Sequence, residues 1–150
     1  AGYLGMTEIR SMGFEDIEAV VKIEKENFSV PWDENGFLSF MLREGTIFLT
    51  ALKDNEVVGY CGLISAADEA DITNVSVSQS MRKKGIGGML LSELIKEAGE
   101  SGIKKIFLEV RESNIPAISL YNGFGFKQVG MRKDYYEKPV ENALLMLKEL

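Results

Sequence analysis

The groups in this chain that could move protons or hold anions fall at three places. Within the apolar run Ile106-Phe107-Leu108-Glu109-Val110, a carboxylate stands where a charge needs a reason. Glu109 suits a base that takes a proton from an incoming nucleophile. It also suits an ion pair with Arg111, which shares its strand face at spacing two. Tyr121 offers a phenolic proton, or else a ring that packs on a sheet. The third place is Arg82-Lys83-Lys84-Gly85-Ile86-Gly87-Gly88, lying between a strand and a helix. Its glycines let the backbone approach a ligand and turn N–H groups inward. The positive end of the following helix adds to a site for a pyrophosphate, with Arg82, Lys83 and Lys84 placed to meet phosphates further out. The competing reading is a solvated basic turn capped by glycines.

What is missing narrows the chemistry. There is no histidine, which removes Ser-His-Asp and Cys-His nucleophiles and histidine-based metal sites, so no metal is expected. Cys61 is the only cysteine; set in Val57-Val58-Gly59-Tyr60-Cys61-Gly62-Leu63-Ile64, it reads as a core residue. Catalysis would fall to carboxylates, tyrosine, lysine, backbone amides or a cofactor. The net charge of −6 argues against nucleic-acid binding and would tolerate a basic partner. No apolar run approaches the roughly 20 residues a spanning helix needs, and the N-terminus does not read as a signal peptide. A cytoplasmic protein without membrane contact is expected. Met6-Thr7-Glu8-Ile9 resembles a natural start, which would make residues 1–5 a cloning remnant.

These groups must be positioned by elements that the periodicity suggests. A strand begins at Ile9, and an amphipathic helix spans Phe14 to Asn27, with Ile17, Val20, Val21, Ile23-Glu24 and Phe28 at helical spacing. Pro31 ends it, and Asp33 caps a second helix through Phe37, Phe40 and Met41 to about Arg43. Strands follow at Ile47–Leu52, Val57–Ser65 and Asp71–Val77, the first two joined at Asp54-Asn55. After the basic loop, Met81 to Gly88, comes a helix carrying Met89, Leu90, Leu91, Leu94, Ile95 and Ala98. Ile103–Val110 is a strand, Asn114 and Pro116 open a short helix, and Lys127–Met131 and Ala143–Lys148 are the last strands. The order predicts one α/β (α+β) domain over residues 1–150, with about seven strands in a mixed, mostly antiparallel sheet and four helices on both faces.

Comparison among phosphate loops identifies the third place. A Walker A loop needs Lys-Ser/Thr after its last glycine, where Met89-Leu90 stand here; a Rossmann loop needs a third glycine where Leu90 stands. Arg82 to Gly87 instead matches the Arg-x-x-Gly-x-Gly acetyl-CoA signature of the GNAT acetyltransferases, and the order of elements resembles that fold from end to end. The resemblance implies acetyl-CoA as cosubstrate, held by Arg82, Lys83, Lys84, Gly85, Ile86, Gly87 and Gly88. It also implies a bulged strand at Asn74-Val75-Ser76-Val77 whose backbone, at Val75, Ser76 and Val77, pairs with the pantetheine arm.

Leu108-Glu109-Val110-Arg111, Ser113-Asn114, Ala117, Leu120-Tyr121 and Gly125-Phe126 resemble, more narrowly, the RimI-type ribosomal-protein alanine N-acetyltransferases. In that family the glutamate is the general base, the tyrosine the general acid, and the asparagine a coenzyme contact; here these are Glu109, Tyr121 and Asn114. Pro31-Trp32-Asp33-Glu34 and Arg132-Lys133-Asp134-Tyr135-Tyr136 agree with the subgroup, and would set Trp32, Tyr135 and Tyr136 beside an acceptor peptide. Gly123 and Phe124 depart from it, standing where a bulkier residue and leucine are usual. The implied function is direct acetyl transfer to a protein α-amine, expected to be the N-terminal alanine of a small-subunit ribosomal protein, with the Val77 N–H polarising the thioester oxygen. The coenzyme motif is equally at home in enzymes acting on lysine side chains or small amines, and in coenzyme-binding modules without catalysis.

Overall fold

The computed structural model describes residues 7–150; the start at Met6 and the remnant over residues 1–5 lie outside the described residues. Strands β1 (Thr7–Ser11), β2 (Thr46–Lys53), β3 (Glu56–Ala66), β4 (Glu69–Val77), β5 (Lys105–Arg111), β6 (Lys127–Tyr136) and β7 (Glu141–Glu149) form one sheet in the order β1-β2-β3-β4-β5-β7-β6. Four helices accompany them: α1 (Ile17–Asn27), α2 (Glu34–Met41), α3 (Ile86–Glu100) and α4 (Ile115–Gly123). Only β4 and β5 pair in parallel, as the α3 crossover between them requires. The expected mixed sheet with helices on both faces is the architecture observed.

Local chemistry sets the element ends. The Asp33 carboxylate accepts the Gly36 N–H at 2.8 Å and starts α2. Asp54 and Asn55 both take positive φ, the geometry of a tight hairpin turn between β2 and β3. The Asn114 side chain accepts the Ala117 N–H at 3.3 Å at the start of α4, beside Pro116. Several boundaries differ from expectation: Phe14–Asp16 forms a 3-10 turn, so α1 begins only at Ile17, and α2 ends at Met41 rather than Arg43. Ile103 is not in β5, because its N–H is drawn to the Ala98 carbonyl at the end of α3. Helix α3 starts at Ile86, so Gly87 and Gly88 lie in its first turn. The last hairpin is longer than its apolar pattern: β6 runs on to Tyr136 through exposed polar residues, which an edge strand tolerates because one face is solvated.

Adjacent residues of β2 and β3 serve opposite faces of the sheet. Leu49 and Cys61 pack with Leu90, Leu91 and Leu94 of α3 and Tyr121 of α4. Phe48 and Tyr60 pack with Val20, Val21 and Ile23 of α1 and Phe37 of α2. The site depends on one interruption. Gly62 faces Asn74 while Leu63 faces Ile72, leaving Thr73 as the extra residue of a bulge in β4. Pairing between β4 and β5 is confined to Glu69–Asp71 against Lys105–Phe107. Beyond the bulge the two strands part, opening a wedge in the sheet. Among the described residues no helix is long and apolar enough to cross a membrane.

Candidate active site

The wedge contains a cavity of about 820 Å³. Asn74 and Val75 line it from β4, Glu109, Val110 and Arg111 from β5, and Asn114, Ala117 and Tyr121 from the cap and body of α4. Trp32 and the segment after α1 close one side; Tyr135 and Tyr136 of β6 close another. Glu109, Tyr121, Asn114, Val75, Trp32, Tyr135 and Tyr136, singled out from separate stretches of sequence, therefore share one space.

Alternation along β5 buries Ile106, Leu108 and Val110 and turns Glu109 toward the cavity with its side chain 22% exposed. The anticipated ion pair with Arg111 is not formed. Arg111 instead reaches Glu141 at 3.2 Å and the carbonyls of Glu137 and Pro139, each at 2.9 Å, and lies 4.4 Å from the centre of the Tyr136 ring. Arg132 stands 3.9 Å from Glu109 and is 54% exposed, a contact that water screens. Among the described residues the Glu109 carboxylate thus has no tight cationic partner. Burial first, and then the charge of Glu109, push the Tyr135 phenol above its usual value. Tyr136 is pushed up to about 12 by burial, with Tyr135 and Glu109 adding to it.

Tyr121 is buried, with its ring edge-on to Phe126 at 5.8 Å. Its phenol pKa is raised strongly by burial and further by the nearby Tyr136 and Cys61. The group therefore keeps its proton at neutral pH, the state in which it can donate one. The ring packs against Phe126, as a structural tyrosine would, and the residue also lines the cavity. Burial likewise pushes the Cys61 thiol up, which suits an inert core residue.

The glycine loop lies beside this cavity rather than in its lining: Arg82 to Gly88, Ser76 and Val77 are not among the cavity residues. Gly85 takes φ +81° at the head of α3, and among the described residues no side chain caps the N–H groups that follow. Lys83 also has positive φ, a costly conformation for a non-glycine residue. A methyl group at Gly87 or Gly88 would meet only ordinary contacts, the nearest at 3.5 and 3.8 Å, so internal packing does not explain these glycines. Uncapped N–H groups and open glycines fit a bound phosphate chain. The Arg82 guanidinium turns back to the Asn27 side-chain oxygen, while Lys83 and Lys84 are exposed.

Among the residues not expected at the site, three polar ones join its walls: Asn27, Glu24 and Asn74. Asn27 donates to the Val77 carbonyl at 2.9 Å and to the Ser76 hydroxyl, joining α1 to β4 and the loop. Glu24 and Asn74 line the cavity and are hydrogen-bonded at 2.8 Å. Glu24 carried the same signal as Glu109, a carboxylate on an apolar stripe. Asn27 carried none and Asn74 only its place in the expected bulged strand, because their meaning comes from partners far along the chain. Among the described residues no group of three or more potential ligands is placed to hold a metal ion.

The sequence profile of the acetyltransferase (GNAT) family matches residues 17–126, which takes in the loop, Glu109 and Tyr121. The chain belongs to the GNAT acetyltransferase family. It is similar to the ribosomal protein bS18-alanine N-acetyltransferase of Haemophilus influenzae, 36% identical over 87% of this chain and 90% of that one. It is also similar to an N-alpha-acetyltransferase of Saccharolobus solfataricus, 31% identical over 95% of this chain and 92% of that protein. The crystal structure of the ribosomal-protein-S18-alanine N-acetyltransferase from Escherichia coli superposes with a TM-score of 0.89 at 30% identity, covering 96% of this chain and 94% of that one. This GNAT protein is accordingly an N-acetyltransferase, an acyl-transferring enzyme.

Proposed function

We propose that the enzyme transfers acetyl from acetyl-CoA directly to the α-amine of a protein N-terminus, and that its acceptor is the N-terminal alanine of ribosomal protein S18. The observation that carries this reading is the common cavity: Glu109 and Tyr121 face one space, with the glycine loop beside it and Trp32, Tyr135 and Tyr136 around it. The names of the relatives supply the acceptor.

Gly85, Ile86, Gly87 and Gly88 would hold the pyrophosphate with backbone N–H groups, helped by Arg82, Lys83 and Lys84, and the parted edge Val75-Ser76-Val77 would hold the pantetheine arm. Asn114 adds a coenzyme contact. The coenzyme supplies an acetyl group activated as a thioester. In an antiparallel ladder alternate residues face away from their partner strand. The Ser78 N–H bonds Val58 on β3, so the polar groups of Val77 turn away from β3, as its bond from Asn27 also shows. The Val77 N–H can then donate to the thioester oxygen. Glu109 takes the proton of the amine, through a water, and the phenol of Tyr121 returns a proton to the departing thiolate.

The test is mass-spectrometric acetylation of two peptides, one starting with free alanine and lacking lysine, the other blocked at its N-terminus with internal lysines. Modification of the first alone is the expected result. Modification of the second alone would replace the N-terminal acceptor with a lysine.

A further inference from the structure

The chemistry above leaves one buried carboxylate of the cavity unused. Glu24 is 2% exposed on α1, and both of its oxygens are engaged. Oε2 accepts the Trp32 N–H at 3.0 Å; Oε1 accepts the Asn74 side-chain amide at 2.8 Å and the Tyr60 hydroxyl. The three donors come from the segment after α1, from β4 just past its bulge, and from β3. Burial raises the pKa of Glu24, and these donors oppose the shift. Apolar side chains would fill the same volume at less desolvation cost, so what the carboxylate adds is direction.

That direction converges on Trp32. Residues 28–31 around it are exposed, so the path from α1 to α2 is fixed at few points. The Trp32 ring stacks on Phe40 at 4.5 Å and meets Phe37 edge-on at 5.1 Å; Phe37 meets Tyr60 at 5.5 Å, and Tyr60 donates to Glu24. Glu24, Trp32, Phe37 and Tyr60 thus form a closed circuit that fixes the Trp32 wall at its backbone and at its ring. The contacts nearest the glycine loop run instead through Asn27 to Ser76, Val77 and Arg82.

We propose that Glu24 is the positioning residue of the acceptor groove: it sets the separation between Trp32 and the parted edge of β4, and so the space for the first acceptor residue. This rests on the reading that the acceptor passes Trp32. Glu24 does not move the proton, because its oxygens are already occupied by donors.

Trp32 is the only tryptophan, so its fluorescence reports on the wall directly. In Glu24→Gln the amide presents N–H groups to at least one of three donors, and a contact must break. The acceptor KM for an alanine-initiated peptide should rise about tenfold while the acetyl-CoA KM stays unchanged. Trp32 emission should shift to the red and quench more readily with acrylamide, at unchanged far-UV circular dichroism. Trp32→Ala should add less to the acceptor defect in the Glu24→Gln background than alone, since both act through one wall. Should the amide variant not fold, Glu24→Asp, one methylene short of the Trp32 N–H, carries the same readouts. Unchanged quenching in whichever variant folds, or an acetyl-CoA KM that rises as far as the acceptor KM, would overturn the proposal. If the wild type acetylates no N-terminal peptide, the acceptor reading fails by itself, and the quenching comparison still decides the role of Glu24.

Discussion

Two cavity residues, Glu109 and Tyr121, differ in surroundings in the way their proposed roles require. Glu109 faces the cavity with only a loose cation at 3.9 Å, whereas Tyr121 is buried and held protonated. An α-amine titrates near 7.7–8.0, so a base matters most where the amine is most protonated. Glu109→Gln should therefore lower turnover most at the acid end of the pH range, with coenzyme affinity unchanged; a pH profile of kcat beside coenzyme titration checks this. A rate unaltered across pH would remove Glu109 from the mechanism. Tyr121→Phe keeps the ring against Phe126 and removes only the hydroxyl. It should leave the melting temperature close to the wild type and reduce kcat by about 10²-fold or more, measured by steady-state assay.

At the scale of elements, the site exists because β4 and β5 stop pairing after Asp71 and Phe107. Gly85 sits at φ +81°, where a side chain costs roughly 1 kcal/mol or more. Gly85→Ala should lower the melting temperature and raise the acetyl-CoA KM, while the acceptor KM changes little. On the opposite side, Glu141 accepts the Ser113 N–H at 2.6 Å and pairs with Arg111 at 3.2 Å, tying the last hairpin to the turn that carries Asn114. The hydrogen bonding of Ser113, with help from Arg111, holds its carboxyl below the usual 4.5. A carboxylate with a lowered folded pKa contributes stability that is present above the unfolded value and lost as pH falls through the folded one. Thermal denaturation of Glu141→Gln against the wild type should thus show a gap at neutral pH that closes below about pH 4.5.

At the scale of the whole molecule, the sheet separates two apolar layers, and the larger one packs α3 and α4 behind the site. Leu94 is fully buried there and does not itself line the cavity, so Leu94→Ala should cost about 2–5 kcal/mol in urea unfolding. The folded fraction should retain its KM values, because Leu94 does not line the cavity.

The sequence by itself determined the family and the order of elements, and it singled out the candidate residues that the cavity brings together. The apolar periods of α1, α3, β2 and β3 and the polar caps at Asp33 and Asn114 are local signals that need no partner to be read. The glycine loop and the carboxylate in β5 stood out against their neighbours for the same reason. Tertiary structure alone decided what those residues touch. Arg111 chose Glu141 over Glu109, its neighbour at spacing two, because β7 pairs with β5 and carries Glu141 to the turn. Asn27, Asn74 and Glu24 became parts of the site only when α1 crossed the bulged end of β4. A hydrogen bond between residues about fifty positions apart has no periodicity to betray it; it is fixed by how the sheet twists and where two strands part.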